Sequence, residues 1–106
     1  MVARGEIWLV TLDPTVGSEI KKARPCVVVS PPEMHDYLRT VIVAPMTTKG
    51  RPAPFRIPLS HGGKKGLILL DQIRAVDKVR LAKKIGGVST KTLSLALDGL
   101  QEVFAK

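Results

Sequence analysis

Gly17-Ser18-Glu19-Ile20-Lys21-Lys22-Ala23-Arg24-Pro25 leads without a break into Cys26-Val27-Val28-Val29-Ser30. A polar, basic loop runs into a row of small and β-branched residues, the composition of a buried strand. Pro25 fixes its own φ and steers Arg24 towards extended backbone, so the arginine is held at the mouth of that strand. A guanidinium held there presents a planar fork suited to a phosphate. An ordinary solvated lead-in to a strand uses the same residue types, and the stretch by itself leaves both readings open.

Outward from it, the strand pattern recurs. Residues 6–12, Glu-Ile-Trp-Leu-Val-Thr-Leu, lie between Gly5 and Asp13-Pro14. Ile7, Leu9 and Thr11 fall on one face and Trp8, Val10 and Leu12 on the other, and both look covered. Trp8 reads as core rather than as a stacking platform for a base. Residues 31–36 form a break and a surface loop. Residues 39–46 make a third strand that ends or bulges at Pro45, with the hydroxyls of Thr47 and Thr48 close behind. A basic, turn-rich loop follows over 49–54, then a short edge strand over 55–59 that carries Pro58. Residues 61–66 read as a loop and residues 67–70 as a buried strand. Residues 71–77 continue with alternation, Ile73 and Ala75 opposite Arg74 and Val76. Residues 81–88 give one more, weaker strand.

The period then changes. Ser89 is a good N-cap, and Leu93, Ala96, Leu97, Leu100, Val103 and Phe104 recur at helical spacing, with Lys91, Asp98, Gln101 and Glu102 opposite. Gly99 inside this helix costs roughly 1 kcal/mol relative to alanine, which a close approach of helix to sheet would explain. The expected fold is mainly β with a C-terminal helix (α+β): a small barrel of about five to seven strands with the helix packed on it.

The 106 residues suit a single domain, 1–106, and 44% hydrophobic content argues for a folded globule rather than a disordered chain. Lys and Arg number 17 against 9 Asp and Glu, a formal net charge of +8 that favours polyanionic partners, nucleic acid or an acidic protein segment. Cys26 is the single cysteine, so no intrachain disulfide is possible, and in an apolar strand it reads as a buried thiol, not a nucleophile. No signal peptide or membrane span is visible, which places the protein in the cytoplasm with no membrane partner. There is no Walker-type phosphate loop and no metal-ligand spacing, so neither cofactor nor metal is expected. His35 and His61 each stand alone in a loop and read as surface. A nuclease built from these residues is expected to be metal-independent and to stabilise a phosphorane with fixed cations and hydroxyls.

Five blocks occur together in a telling order: residues 4–8 (Arg-Gly-Glu-Ile-Trp), 12–19 (Leu-Asp-Pro-Thr-Val-Gly-Ser-Glu), 24–30 (Arg-Pro-Cys-Val-Val-Val-Ser), 43–48 (Val-Ala-Pro-Met-Thr-Thr) and 70–78 (Leu-Asp-Gln-Ile-Arg-Ala-Val-Asp-Lys). With them the chain resembles the MazF/PemK family of toxin endoribonucleases over essentially its whole length. The resemblance implies a homodimer of SH3-like barrels, cleavage of single-stranded RNA at short sequences, and silencing by an acidic, MazE-like antitoxin. It assigns catalytic roles to Arg24 and Thr47, with Thr48 as the alternative register, and places Ser18 where the family binds the phosphate backbone. The RNA-binding set extends over Gly17, Ser18, Glu19, Lys21, Lys22, Thr48, Phe55 and Gln72. The chain departs from many relatives at residues 19–23, where Lys21 and Lys22 replace a glutamine- and glycine-rich loop. That departure bears on the cleavage site, not on the reaction.

The reaction so implied is attack of an RNA 2′-OH on the adjacent phosphate, leaving a 2′,3′-cyclic phosphate and a 5′-OH. Arg24 would stabilise the phosphorane, and Thr47 would hold a phosphate oxygen or orient the 2′-OH. Arginine holds its proton too firmly to serve readily as a base, which makes the electrostatic role the natural one and leaves the general base unassigned. Two alternatives stay in view: a CcdB-like toxin that binds gyrase on a similar barrel, and a basic RNA-binding barrel without catalysis.

Overall fold

The computed structural model describes residues 2–12 and 23–106. Strands β1 (Glu6–Thr11), β2 (Ala23–Val28) and β3 (Thr40–Thr47) are joined, between β2 and β3, by the one-turn helix α1 (Pro32–His35). Then come β4 (Arg56–His61), β5 (Lys64–Leu69), a 3-10 turn at Leu70–Gln72, β6 (Arg74–Asp77), a second 3-10 turn at Lys78–Arg80, β7 (Leu81–Gly87) and helix α2 (Thr90–Val103). Among the described residues the strands form one curled antiparallel sheet in the order β4-β5-β3-β2-β1-β7, with β6 also paired to β3. The expected mainly-β barrel with a C-terminal helix is thus the fold observed, a half-barrel closed on one side by α2.

Burial on both faces explains the β-branched runs. Val27 and Val29 join Ile7, Ala44, Met46, Ile57, Ile68, Leu70 and Ala96 in the core under α2. Their neighbours Cys26 and Val28 join Val10, Leu12, Val41, Val43 and Val76 in a second core, against which Trp8 packs. Alternate residues of one strand feed opposite faces, so β2 must be apolar at every step. Trp8 donates its indole N–H to Glu6 Oε1 at 3.1 Å, which ties it to the sheet.

Strand β3 is the hub. Residues 43–45 pair with β2, while the other edge pairs with β6 over residues 40–43 and with β5 at residues 46 and 47. Pro45 was expected to end or bulge the strand, and instead β3 runs through it. The Ile42 amide bonds to Ser30 Oγ on the β2 side, so position 45, three residues on, faces the other edge. There β6 has ended and β5 has not begun, and a residue without an N–H is tolerated.

Three further expectations are corrected. Residues 61–66 are not a loop: β4 and β5 form a hairpin with His61 paired to Lys64. The two-residue turn works because Gly62 (φ 59) and Gly63 (φ 77) both take left-handed backbone, as a type I′ turn demands. His35 is not a surface residue but is buried with Ser30. The Val2 carbonyl can only accept, so His35 Nε2 carries the hydrogen of that 2.8 Å bond. Its Nδ1 and Ser30 Oγ share a second hydrogen bond at 3.2 Å. Val103 and Phe104, assigned to the packed face of α2, are exposed at 44% and 70%; Val103 is the last residue of the helix and Phe104 its C-cap, beyond the turns that pack on the core.

At the other end of α2, Ser89 caps as expected, its Oγ accepting the Thr92 amide at 3.1 Å. Gly99 marks the close approach anticipated for it: a Cβ there would stand 2.6 Å from Leu70 Cδ1 and 3.2 Å from the Pro54 carbonyl oxygen. No helix among the described residues is long and apolar enough to cross a membrane.

Candidate nucleic-acid site

Arg24 is the second residue of β2, paired with Val10 of β1. Pro25 follows it in the same strand, so the extended backbone expected of an arginine before proline is what positions it. The side chain stands exposed at the strand mouth. Two residues on, Cys26 is buried, its Sγ within 3.5 Å of the Arg24 carbonyl oxygen. Burial pushes the thiol up to about 12, with the Arg74 charge pulling weakly the other way, so Cys26 serves packing and not nucleophilic chemistry.

Thr47 ends β3 and Thr48 follows it. The Lys49 amide donates to Thr47 Oγ1 at 3.2 Å, a local turn that orients the hydroxyl while leaving its own hydrogen for an acceptor. Thr47 pairs with Leu67 of β5. The neighbouring Gly66 is what lets β5 lie so near: a Cβ there would stand 2.9 Å from the Thr47 carbonyl oxygen.

These pieces converge. Arg24, Thr47 and Thr48 line one pocket of about 150 Å³, with Pro25, Met46 and Leu59 as its apolar lining and His61, Lys64 and Lys65 from the β4–β5 hairpin. The described residues that line it include three cations, two hydroxyls, one imidazole and no carboxylate. Its chemistry is that of an anion site: planar and point charges for phosphate oxygens, hydroxyls to orient them, and an apolar wall that strengthens both. Among the described residues, no three of His, Cys, Asp and Glu gather closely enough to hold a metal ion.

Other residues of the expected RNA-binding set lie elsewhere. Phe55, 42% exposed, lines a separate cleft with Pro54, Gly99, Glu102 and Val103 beside α2. Gln72 closes the 3-10 turn after β5. In that turn Asp71 pairs with Arg56 through two hydrogen bonds of 3.0 and 3.2 Å. Gly17, Ser18, Glu19, Lys21 and Lys22 lie outside the described residues.

His61 is the residue that sequence reasoning passed over. It ends β4 with its ring against β7, since a Cβ on Gly86 would stand 2.7 Å from His61 Cε1. The two ends of the sheet order, β4 and β7, therefore meet at this ring. Gly86 is the sequence trace of that contact, but nothing local ties it to position 61. The Gly62-Gly63 pair could have revealed the hairpin, and with it the pairing of His61 to Lys64.

Residues 3–104 match the model of a family described as PemK-like, MazF-like toxin of type II toxin-antitoxin system. The chain is 36% identical to the endoribonuclease PemK of Escherichia coli over 106 residues, 94% of this chain and 80% of that protein. It is 35% identical to the endoribonuclease toxin MazF of Escherichia coli K12 over 92 residues, 86% of this chain and 83% of that one. Among solved structures, MazF from Deinococcus radiodurans superposes with a TM-score of 0.86 at 22% identity, covering 99% of this chain and 97% of that one. A mycobacterial endoribonuclease in complex with its cognate antitoxin superposes with a TM-score of 0.81 at 20% identity, covering 96% and 93%. The last two likenesses speak to the fold alone.

Proposed function

This chain belongs to the PemK-like, MazF-like family of type II toxins, and from that premise we propose that it is an endoribonuclease that cuts single-stranded RNA through the pocket between Arg24 and Thr47. The observation that carries the reading is the convergence of Arg24, Thr47, Thr48, Lys64 and Lys65 on one pocket whose described lining holds no carboxylate. A phosphodiester entering it meets positive charge on the β2 and β5 sides and a hydroxyl on the β3 side. The RNA 2′-oxygen attacks the adjacent phosphorus, the bond to the 5′-oxygen breaks, and a 2′,3′-cyclic phosphate and a 5′-OH remain. Charge grows on the non-bridging oxygens as the phosphorane forms. Arg24 meets that charge with its fork, and Thr47 donates its free hydrogen to one of the oxygens. DNA has no 2′-OH and is not cut by this route.

The protein acts in the cytoplasm as a homodimer, and an acidic antitoxin silences it by occupying the basic surface that RNA uses. The relatives named endoribonucleases support the activity, and a family described as toxins of toxin-antitoxin systems supports an antitoxin partner. Ser18, Lys21 and Lys22, which precede β2 in sequence, are further RNA-binding residues of this reading.

The test is incubation of the purified protein with one defined RNA and with the DNA of the same sequence, followed by mapping of the ends. Cleavage of the RNA alone, to cyclic phosphate and 5′-OH ends, is the expected result. Cleavage of both strands, or 5′-phosphate ends, would overturn the mechanism.

A further inference from the structure

Removal of the 2′-OH proton has no owner in the mechanism above. Arginine and lysine stay protonated near neutral pH, and a threonine hydroxyl is too weak a base to take a proton unaided. Of the described residues lining the pocket, only His61 has a side chain of the type that both accepts and releases a proton in that range. We propose that His61 is a further catalytic residue, the general base that takes the proton from the attacking 2′-OH. The proposal rests on the endoribonuclease reading of the pocket.

The fold holds this ring in place. His61 ends β4 and is pinned in register by its pairing with Lys64 across the Gly62-Gly63 turn. Its Cε1–Nδ1 edge lies over Gly86 of β7, where an added Cβ would stand 2.7 Å from Cε1, 3.3 Å from Nδ1 and 3.9 Å from Nε2. A side chain at position 86 would fill the ring's place. Nε2 is thus the ring nitrogen farther from the Cβ position of residue 86. Partial burial leaves the ring reachable from the pocket. The charged groups lining the same pocket are Arg24 from β2 and Lys64 and Lys65 from β5. On β7, Lys84 lies two residues from Gly86 and is engaged with Glu6 at 2.8 Å.

The step balances with water alone. Neutral His61 accepts the 2′-OH proton at Nε2 as the bond from the 2′-oxygen to phosphorus forms. The bond from phosphorus to the 5′-oxygen breaks, and the leaving oxygen takes a proton from water. The imidazolium then returns its proton to solvent, and no electron is transferred.

The experiment measures single-turnover cleavage of a defined RNA from pH 5 to 9 by the wild-type protein and by His61→Gln, His61→Ala and His61→Lys, with folding followed by circular dichroism. A base must be unprotonated to act, so the wild-type rate should fall as pH drops through the imidazole range. His61→Gln should lose roughly 10²-fold or more in rate and lose that acid limb, with little change in KM. Added imidazole should restore part of the His61→Ala rate. A His61→Lys variant as fast as wild type would show that only a cation is needed and would overturn the proposal. So would a wild-type rate that stays level down to pH 5, a result that needs no variant to fold. A wild-type protein that cuts no RNA would instead overturn the endoribonuclease reading itself.

Discussion

Arg24 owes its position to one neighbour, Pro25, and its role to being an exposed cation at a strand mouth. On the proposed mechanism Arg24→Ala removes a charge-assisted hydrogen bond to the phosphorane, and cleavage of a defined RNA should slow by roughly 10²–10³-fold. The urea midpoint should stay near that of wild type, because no core atom is removed. A folded Arg24→Ala protein cutting at the wild-type rate would show that the site is wrongly assigned. Thr47 and Thr48 both line the pocket, but only Thr47 Oγ1 is oriented, by the Lys49 amide. Thr47→Val should therefore slow cleavage far more than Thr48→Val, and equal effects would contradict that ordering. Cys26 gives a test with no RNA in it. Burial pushes its pKa up to about 12, so little reactive thiolate is present at pH 8. Iodoacetamide should label Cys26 only in denaturant, and rapid native labelling would contradict its burial. Cys26 and Arg24 were readable from the sequence because their causes, an apolar strand run and a following proline, are adjacent to them. His35 and His61 were misread because theirs are not. The partners of His35 are Val2 and Ser30, and the ring of His61 rests on a glycine 25 positions away.

At the level of elements, the β4–β5 hairpin builds half of the pocket and aligns it with the end of β3. Gly66 sets that alignment, since a Cβ there would stand 2.9 Å from the Thr47 carbonyl oxygen. The obstructing atom is backbone inside a paired ladder, so the strands must part. Gly66→Ala should destabilise the protein by about 1–3 kcal/mol. It should also depress cleavage beyond what the reduced stability explains, by moving Thr47. A variant with wild-type urea midpoint and rate would show that β5 need not lie so close. Strands β1, β2 and β3 and helix α2 were legible because runs of β-branched residues, a change of period and the Ser89 cap are local signals, while β7, with its lysines and glycines, gave only a weak one. The switch of β3 from β6 to β5 was not, because Pro45 reads as a terminator until one knows which edge its missing N–H faces. Nor was the exposure of Val103 and Phe104, since helical spacing says which side of α2 is apolar but not at which residue the helix and its packed turns end.

The molecule as a whole carries a net charge of +8, and Arg24, Lys64 and Lys65 bring part of that charge to the pocket. Charge placed around a concave, partly apolar site acts on anything negative that approaches, whichever polymer bears the negative groups. RNA offers phosphates, and an acidic antitoxin segment offers carboxylates on a chain able to fold onto the surface as it binds. If both answer to the same field, each should exclude the other, and both affinities should fall as salt rises. Lys64→Glu combined with Lys65→Glu should weaken both partners together. For RNA, the slope of log affinity against log salt should shrink by about 0.7 for each phosphate that the protein no longer neutralises. Lys21→Glu with Lys22→Glu should act in the same direction if these lysines, which precede β2 in sequence, also bind RNA. The competing view is that these lysines serve only solubility, and it expects both affinities to survive either double change. A competition titration decides between them, using an RNA whose scissile 2′-OH has been removed so that binding is read without cleavage. Displacement of that RNA by the antitoxin, with one apparent site per pocket, is the expected outcome. A ternary complex with both ligands on the same pocket would show that the antitoxin silences the enzyme from elsewhere, by reshaping the site and not by filling it.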